Sequence, residues 1–509
     1  MTLATLSREL LRAPGFAART DLHLPDPALL DLPEKAVQFG TGAFLRGFVE
    51  FFVDEANRRG SFGGRVVAIG STGSGRDEVL TRQDGLYTLA TQGIENGEAR
   101  RDYRVVGSLS RALSAAHDWD AVLACARNPW LELVFSTTTE VGIVLDEHDA
   151  VDAAPPRSYP GKLTRFLYER ARTFAFSRGK GVVVLPCELV DGNGDRLREF
   201  VLQLAARWEL GRPFARWIEQ AVPFCNTLVD RIVPGAAPAK EREEIFEELG
   251  YRDDLLTTCE SYRLFAIEGD AALRERLGFT GADDGIVVTD DVAPYRARKV
   301  RLLNGAHTVM VPAAILAGCE TVRDAVTHDA VGRFLRRALL DEILPTVDAP
   351  GAEAFAHDVL DRFANPYIRH ALFDITLQGT MKFRVRVVPS ILRHAELFGR
   401  VPQALAFGFA AYLMFMRGDA QDARRRAGLS VPADDQGGRV RALWNALEND
   451  SDPALAGLVE TVSADAALWG ADLNRIAGFT DAVTDHLVRI HHGGPAAALD
   501  VLLAAAPAL

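Results

Sequence analysis

The first half of the chain alternates short strand-like runs with amphipathic helical segments. The candidate strands are 35–39, 65–69, 103–106, 131–135 and 181–185. Strands that are separated by helices typically form a parallel sheet with helices on both faces. Near Ala293 the pattern changes, and long helical segments follow at 298–317, 330–342, 352–363, 404–416, 439–449 and 480–491. We therefore predict an α/β fold, with a doubly wound domain over residues 1–290 and a mainly α-helical domain over residues 291–509.

Charge and cysteine content exclude several classes of protein. The chain has 57 Lys and Arg residues against 69 Asp and Glu, a net charge of −12, whereas a protein that coats nucleic acid needs surplus positive charge. The longest apolar run, 404–416, is shorter than the ~20 residues of a membrane span, which predicts a buried helix. Five scattered cysteines without a CxxC pair fit the reducing cytoplasm and argue against a zinc site. We expect a cytoplasmic protein without nucleic-acid, membrane or metal partners.

A glycine-containing turn follows the first candidate strand. Gly40-Thr41-Gly42 stands directly before a helical segment over 44–57. Glycines at such a turn let the backbone approach a pyrophosphate, and the helix N-terminus supplies free N–H groups. Leu45 occupies the place of the third glycine of the usual fingerprint, so a tight turn without a ligand is the alternative. Together with the alternating pattern, the turn predicts a Rossmann-like dinucleotide-binding domain.

The segment after the second strand does not choose between NAD and NADP. An acidic side chain there binds the ribose hydroxyls of NAD, while an arginine accommodates the 2′-phosphate of NADP. The chain reads Ile69-Gly-Ser-Thr-Gly-Ser-Gly-Arg76, with no acid and with one arginine. On the residues alone, both cofactors stay open.

The densest set of chemically active residues lies on one predicted helix. At ~100° per helical residue, Lys299, Asn304 and His307 span an arc of ~140°, so all three side chains can face one cleft. Asn and His can donate hydrogen bonds to an oxygen on which charge develops, and a Lys can exchange a proton with it. The pattern fits carbonyl or alcohol chemistry. The alternative is a basic helix with a solvated Lys and a packed His.

Tyr295 and Lys299 also have the Tyr-x-x-x-Lys spacing of short-chain dehydrogenases. Those chains are much shorter, and their motif lies within the nucleotide-binding sheet. In this chain the pair comes just after Pro294, far from the glycine turn, so we favour Lys299 without Tyr295.

The chain resembles the mannitol dehydrogenase family of polyol-specific long-chain dehydrogenases. The segments that carry the resemblance are 38–46, 83–88, 135–140, 158–165, 186–189, 227–232, 302–307 and 365–368. The resemblance implies a metal-independent, two-domain enzyme that transfers a hydride between a nicotinamide, most simply NAD, and a sugar carbonyl. Many members of the family are monomers, which favours a monomer for this chain.

The resemblance also implies roles for single residues. Lys299 would be the acid/base, Asn304 and His307 would polarise the reacting oxygen, and Lys382 would contact the substrate. The positions expected at the cofactor are Gly40, Thr41, Gly42, Ala43, Phe44 and Val229, and Asp230 is expected near the substrate.

The chain departs from the family pattern at three places, and the exchange at Arg296 points to an anionic substrate. Glu188-Leu189 replaces the Asp-Asn pair of polyol-oxidising members, Asp374 replaces an arginine, and Arg296 replaces the gating glutamate of mannitol enzymes. The candidates to hold a carboxylate are Arg296, Arg298, Arg301, Arg384 and Arg386, and we select Arg296 and Arg384. We therefore predict hydride transfer on a sugar acid. The alternatives are a reductase of an epimeric sugar acid, fructuronate, a polyol dehydrogenase, and a nucleotide-binding sensor of sugar acids without turnover.

Overall fold

The computed structural model of the protein describes residues 3–71, 75–95, 97–138 and 142–504. It divides into two compact units. The first consists of Met1–Gly93 and Arg100–Val292, and the second of Ile94–Ala99 and Ala293–Leu509.

Three sheets form the β-structure of the first unit. The strands are β1 Glu34–Phe39, β2 Arg65–Gly70, β3 Tyr87–Glu95, β4 Glu98–Val106, β5 Leu109–Ser114, β6 Leu133–Ser136, β7 Val183–Pro186, β8 Thr227–Asp230, β9 Thr257–Glu260, β10 Leu264–Glu268 and β11 Ile286–Thr289. The sheet orders are β5-β2-β1-β6-β7, β11-β10-β8 and β4-β3-β9.

The five-stranded sheet confirms the predicted Rossmann-like fold. All its neighbouring strands are parallel, and the chain moves outward from β1 in one direction through β2 and β5 and then in the other through β6 and β7. This is the strand order of a doubly wound nucleotide-binding sheet. Its strands are short and apolar because both faces are covered, and every residue of β2, β6 and β7 is buried.

One strand prediction was wrong in its placement. The run 103–106 is part of a strand, but that strand is β4, which belongs to the sheet β4-β3-β9 and not to the parallel array. Alternation of strands and helices gives no signal for an inserted hairpin, because each of its strands has the same local pattern as a sheet strand.

The first unit surrounds its sheets with helices. They are Arg8–Arg12, Pro14–Ala17, Ala43–Gly47, Val49–Arg58, Arg76–Arg82, Trp119–Ala126, Tyr159–Thr173, Asn193–Arg207, Arg212–Ala221, Ala239–Leu249 and Ala271–Leu277. The predicted helix over 44–57 is two helices, which meet at Phe48 with φ −132° and ψ −81°. Phe48, Phe51 and Phe52 nevertheless form one buried face, as their spacing predicts.

The second unit is helical, as predicted. Its α-helices are Ala293–Arg298, Ala306–Leu316, Val322–Thr327, Asp329–Arg336, Ala352–Ala364, Leu372–Ile375, Gly379–Arg386, Val388–Phe398, Gln403–Arg417, Asp419–Arg426, Gly437–Asn445, Asp452–Ser463, Ala466–Trp469 and Phe479–Ala504. Two segments, Lys299–Gly305 and Arg337–Ile343, are π-helical.

The apolar run 404–416 forms the central helix of this unit. Every residue of the run is buried, which confirms the prediction of a buried helix. Glu342 accepts hydrogen bonds from the backbone N–H groups of Ala404 and Leu405, both at 2.8 Å, and so satisfies the first turn of the helix. Across the ranges that the structure describes, no helix is both long enough and apolar enough to cross a membrane.

Candidate active site

A cavity opens where the strand order of the parallel sheet reverses. β1 continues into Gly40–Gly42 and the neighbouring β6 continues into Thr137 and Thr138. Chain segments leave adjacent strands in opposite directions at this point, which leaves a crevice at the carboxyl ends of the strands. The cavity measures about 620 Å³, within the usual range for a small-molecule site. Its lining consists of Phe39, Gly40, Thr41, Gly42, Ser71, Thr137, Thr138, Gly142, Val144, Asp146, Arg157, Ser158, Tyr159 and Lys162.

Gly40 and Gly42 are glycines for different geometric reasons. Gly40 has φ +131°, and a Cβ there would lie 2.9 Å from the backbone oxygen of Thr137. Gly42 has φ −70°, and a Cβ there would meet no atom within 4 Å. Gly40 is therefore required by the fold itself. Gly42 borders open cavity space, as expected where a ligand's phosphates approach the backbone.

A network of buried side chains binds the peptide oxygens of the turn Gly40–Gly42. The Gln38 amide donates to the carbonyl oxygen of Gly40 at 3.0 Å and to the Glu50 carboxyl at 2.7 Å. Glu50 is fully buried, and this burial raises its pKa to about 7. The Arg46 guanidinium donates to the carbonyl oxygen of Thr41 at 2.8 Å. Both peptide oxygens of the turn thus point into protein, which leaves the opposite side of the turn for a ligand.

Lys162 and Tyr159, from the segment 158–165, are among the residues that line the cavity. The Lys162 ammonium donates to the carbonyl oxygen of Arg157 at 2.7 Å, and burial lowers its pKa in spite of nearby Asp149. The Tyr159 ring packs on Phe39 at 5.3 Å between centroids, and burial raises the pKa of its hydroxyl. A lysine ammonium in such a wall suits a phosphate or ribose oxygen of a dinucleotide.

Glu188, which departs from the family pattern, lies behind the cavity wall and holds one of the wall residues, Thr138. Its carboxyl group accepts from the Thr138 N–H at 2.9 Å, from the Thr138 hydroxyl at 3.1 Å and from the Ser136 hydroxyl at 3.1 Å. Glu188 therefore holds the end of β6. Burial raises its pKa above the usual value.

The remaining residues predicted at the cofactor lie elsewhere in the unit. Ala43 and Phe44 begin the helix Ala43–Gly47, and the Phe44 ring stacks on Phe48 at 5.0 Å. Val229 and Asp230 are buried on β8, paired with Phe265 and Leu264 of β10. None of the four is among the residues that line the cavity.

The residues that would separate NAD from NADP are outside the described part of the chain. These are residues 72–74 and the side chain of Arg76. Residues 139 and 140 of the segment 135–140 also lie outside the described part of the chain.

In the second unit, the helix that carries Lys299, Asn304 and His307 is not a regular α-helix. Residues Lys299–Gly305 are π-helical between the α-helices Ala293–Arg298 and Ala306–Leu316. In a π-helix the hydrogen bonds run from i to i+5, so residues five positions apart lie above one another. Lys299 and Asn304 are such a pair. The arc of ~140° predicted from an α-helical period was therefore wrong, and the two side chains share one side of the helix.

His307 lies on the next helical turn and is buried. Its ring stacks on Phe363 with centroids 3.9 Å apart and meets His370 edge-on at 5.4 Å. Burial, together with His370, Arg362, Arg386 and Lys382, lowers the pKa of His307 well below its usual range, so the ring is neutral at pH 7. Its Nε2 atom is buried and has no hydrogen-bond partner among the described residues. A buried ring nitrogen without a partner fits a ligand oxygen.

Two of the predicted arginines bind oxygen atoms of the protein through their guanidinium groups. Arg298 donates to the carbonyl oxygen of Pro350 at 2.6 Å and packs on the Tyr295 and Phe355 rings. Arg301 donates to Ser390 at 2.7 Å and to Thr346 at 2.8 Å. Both are structural. Arg296 is half-buried, one helical turn before Lys299.

The selection of Arg384 as a substrate ligand is not supported by its position. Arg384 is exposed, and its guanidinium donates to the carbonyl oxygen of Ala467 at 3.3 Å. Lys382, two residues earlier, faces a different side of the helix Gly379–Arg386 because successive residues rotate by ~100°. Lys382 donates to the carbonyl oxygen of Ile375 at 3.0 Å and acts electrostatically on His307.

Phe363 and His370 were not predicted as site residues. They flank the segment 365–368, which the resemblance singled out without a role. Asn365 turns this segment by accepting the Tyr367 N–H at 3.0 Å, and the turn brings a ring from each side against His307. The signal in the sequence for these two site residues was the pair Asn365-Pro366, which stands between Phe363 and His370.

The comparisons with known proteins agree with the two-unit architecture. The model of the mannitol dehydrogenase Rossmann domain matches residues 34–281, and that of the mannitol dehydrogenase C-terminal domain matches residues 291–491. The chain belongs to the mannitol dehydrogenase family. It is an oxidoreductase that acts on CH–OH groups.

Among similar members of the mannitol dehydrogenase family are two altronate oxidoreductases. The enzyme of Bacillus subtilis is 42% identical over 468 residues, which cover 92% of this chain and 95% of that protein. The enzyme of Yersinia enterocolitica is 40% identical over 473 residues, which cover 92% of this chain and 96% of that protein.

Two solved structures have the same fold as this chain. The Pseudomonas fluorescens mannitol 2-dehydrogenase, in a ternary complex with NAD and D-mannitol, is 23% identical, has a TM-score of 0.69 and covers 99% of this chain and all of its own. A substrate-free D-sorbitol dehydrogenase is 24% identical, has a TM-score of 0.78 and covers 97% of this chain and all of its own.

The turn geometry predicts that the two glycine variants fail in different ways. Gly40→Ala should lower the free energy of unfolding by about 1–3 kcal/mol, because its Cβ would collide with the Thr137 oxygen at a positive φ. Gly42→Ala should leave stability within about 0.5 kcal/mol but weaken NADH binding about tenfold or more, because its Cβ would enter the cavity. Chemical denaturation and fluorescence titration with NADH measure the two effects. Equal stability of both variants would contradict this account of the turn.

Proposed function

We propose that the protein catalyses the reversible, NAD-dependent reduction of D-tagaturonate to D-altronate. The observation that carries this proposal is the π-helical register, which aligns Lys299 with Asn304 and leaves the neutral His307 on the adjoining turn. A proton carrier and two hydrogen-bond donors for one oxygen are what carbonyl reduction needs. The relatives at 40–42% identity are altronate oxidoreductases, which supports a sugar acid as the substrate.

The first unit offers the features of a dinucleotide site. Gly42 borders open space, Gly40 brings the turn against β6, and Lys162 offers an ammonium group in the same cavity. We propose that Gly40–Gly42, with Thr137, Thr138 and Lys162, hold NAD. When bound, the nicotinamide exchanges a hydride with the reacting carbon.

The second unit supplies the groups for the oxygen atom. During reduction, the carbonyl carbon gains the hydride and its oxygen gains negative charge. Asn304 donates an amide N–H to this oxygen, and neutral His307 donates from a ring nitrogen, which stabilises the developing charge. Lys299 then gives a proton to the oxygen, and the hydroxyl of altronate is complete. During oxidation, the neutral Lys299 amine takes this proton back.

His307 is suited to this role because it is neutral. Its lowered pKa keeps the imidazole uncharged, so it polarises the oxygen without competing with Lys299 as the proton donor. The stack on Phe363 fixes the plane of the ring, and therefore the direction in which the Nε2 atom points.

We also propose that the reaction takes place in the cytoplasm, since all five cysteines are unpaired thiols.

A substrate panel tests the proposed function. NADH oxidation is followed with D-tagaturonate, D-fructuronate and D-fructose, and each assay is repeated with NADPH. We expect the highest kcat/KM with tagaturonate and NADH. Preference for fructuronate would identify the epimeric reductase, and preference for fructose would identify a polyol dehydrogenase. Nucleotide binding without turnover of any of the three would favour the sensor.

Replacement of Lys299 tests its role as the acid/base. Lys299→Ala should lower kcat about 10²–10⁴-fold with an unchanged Kd for NADH, and added small amines should restore part of the activity. In the wild type, reduction should decline at high pH and oxidation should increase, because reduction needs protonated Lys299 and oxidation needs the neutral amine. Identical pH profiles in both directions, or an unchanged kcat in Lys299→Ala, would contradict this role. Tyr295→Phe, the matched control for the Tyr-x-x-x-Lys reading, should retain activity.

A further inference from the structure

The Arg386 guanidinium group in the second unit differs in its contacts from the other arginines considered for a carboxylate. Arg386 is half-buried, and the described part of the chain provides it with neither a hydrogen bond nor an ion pair. Three of the other arginines considered for a carboxylate, Arg298, Arg301 and Arg384, each donate to named protein oxygens, and the fourth, Arg296, also interacts with another group. Removing an arginine from water without a partner is costly, so this position calls for a reason other than packing.

The backbone brings Arg386 to the segment that carries the reacting groups. A Cβ at Gly305 would lie 3.1 Å from the backbone oxygen of Arg386, so the two segments are in close contact and a side chain there would require a shift of a few tenths of an ångström. Gly305 ends the π-helical segment, between Asn304 and His307. Arg386 ends the helix Gly379–Arg386, one turn after Lys382. Arg386 and Lys382 therefore lie on one side of that helix, near His307.

Positive charge is concentrated around His307. Lys382, Arg386 and Arg362 all act on this ring and lower its pKa. Two carboxylates act on groups of this cluster, and both belong to other contacts. Asp434 faces Lys382, but its carboxylate accepts from the N–H and hydroxyl groups of Thr380 and from the Gly437 N–H.

The second counter-charge, Asp374, acts on His370. Neither carboxylate is a partner of Arg386. Burial lowers the pKa values of both Lys382 and Arg386, as expected for cations held without sufficient compensation.

We propose that Arg386, assisted by Lys382, binds the carboxylate of the sugar-acid substrate and selects sugar acids over neutral sugars. This inference rests on the proposed function and names the group that recognises the acid. A guanidinium offers two parallel N–H donors that match the two oxygens of a carboxylate. The Lys382 ammonium donates one hydrogen bond to Ile375 and keeps two N–H donors for the ligand. In a six-carbon keto acid the carboxylate is remote from the ketone, so this anchor is separate from the groups that act on the reacting oxygen.

Four variants test the assignment. Arg386→Gln removes the charge, and Arg386→Lys keeps the charge but loses the paired donors. Arg384→Gln tests the competing arginine on the same helix. Arg393→Gln is the matched control, since Arg393 is an exposed arginine on the next helix and pairs with Glu396 at 2.7 Å. Thermal unfolding and NADH titration show whether each variant is folded and binds the cofactor.

We expect Arg386→Gln to raise the KM for tagaturonate about 10- to 100-fold, with kcat within about threefold. An anchor that binds ground state and transition state alike has this signature. Arg386→Lys should lie between Arg386→Gln and the wild type, and Arg393→Gln should match the wild type. A KM that does not change in Arg386→Gln, or that rises instead in Arg384→Gln, would overturn the assignment.

A binding measurement separates this assignment from the proposed reaction. Calorimetric titration of the NADH-loaded protein with D-altronate measures binding without turnover, because NADH and altronate are both in the reduced state. If the wild type binds altronate without turnover and Arg386→Gln loses this binding, the carboxylate site stands and the proposed reaction fails. If tagaturonate is turned over and Arg386→Gln binds altronate as the wild type does, the reaction stands and the carboxylate site fails. A wild type that neither binds nor turns over these acids would overturn both.

Discussion

The register of one helical segment determines which side chains of the second unit can act together. An α-helical segment would turn Lys299 and Asn304 well away from each other, whereas the π-helical turn aligns them. A π-helical turn is rare because it spaces the backbone less favourably than an α-helix, and it is retained where tertiary contacts compensate. Here the contact between Gly305 and the backbone of Arg386 joins the end of the segment to a second helix. The same contact brings Arg386 to the end of the segment that carries Lys299 and Asn304.

In the first unit, the strand order of the parallel sheet determines where the cavity lies. The reversal between β1 and β6 creates the cavity, and the missing side chain at Gly40 lets the turn lie against Thr137. Below the turn, Gln38 and Arg46 use the peptide oxygens, so the surface toward the cavity is formed by Gly42 and by polar groups of the wall. A dinucleotide needs such a surface, because its phosphates are bound by N–H groups and cations and repelled by carbonyl oxygens. In the function that we propose, the first unit holds the nucleotide and the second unit supplies groups for an oxygen atom of the substrate.

The sequence was sufficient for features that depend on local patterns. The parallel strands β1, β2, β6 and β7, the glycine turn and the buried helix over 404–416 follow from alternation, from spacing and from an uninterrupted apolar run. The hairpin containing β4 was misplaced, since a strand pattern does not state which sheet the strand joins. The π-helical register was missed for a related reason. Hydrophobic periodicity over seven residues cannot separate a period of 3.6 from a longer one, and the arc calculated for Lys299, Asn304 and His307 depended on that period.

Long-range packing decided the rest of the site. Arg384 and Arg386 lie two residues apart on the helix Gly379–Arg386, and the sequence does not show which side of this helix faces His307. The rings of Phe363 and His370 approach His307 from a turn more than fifty residues further along the chain, a contact that spacing alone does not reveal. The residue types needed for the chemistry were visible in the sequence, whereas their mutual arrangement required the fold.

The most direct test is a crystal structure of the protein with NAD and D-altronate bound. The account predicts that one hydroxyl oxygen of altronate lies within ~3.2 Å of Lys299 Nζ, of the Asn304 amide nitrogen and of a His307 ring nitrogen, with the hydrogen-bearing carbon of that hydroxyl group facing the nicotinamide. An altronate hydroxyl held by other residues, with Lys299 pointing away from it, would contradict the account.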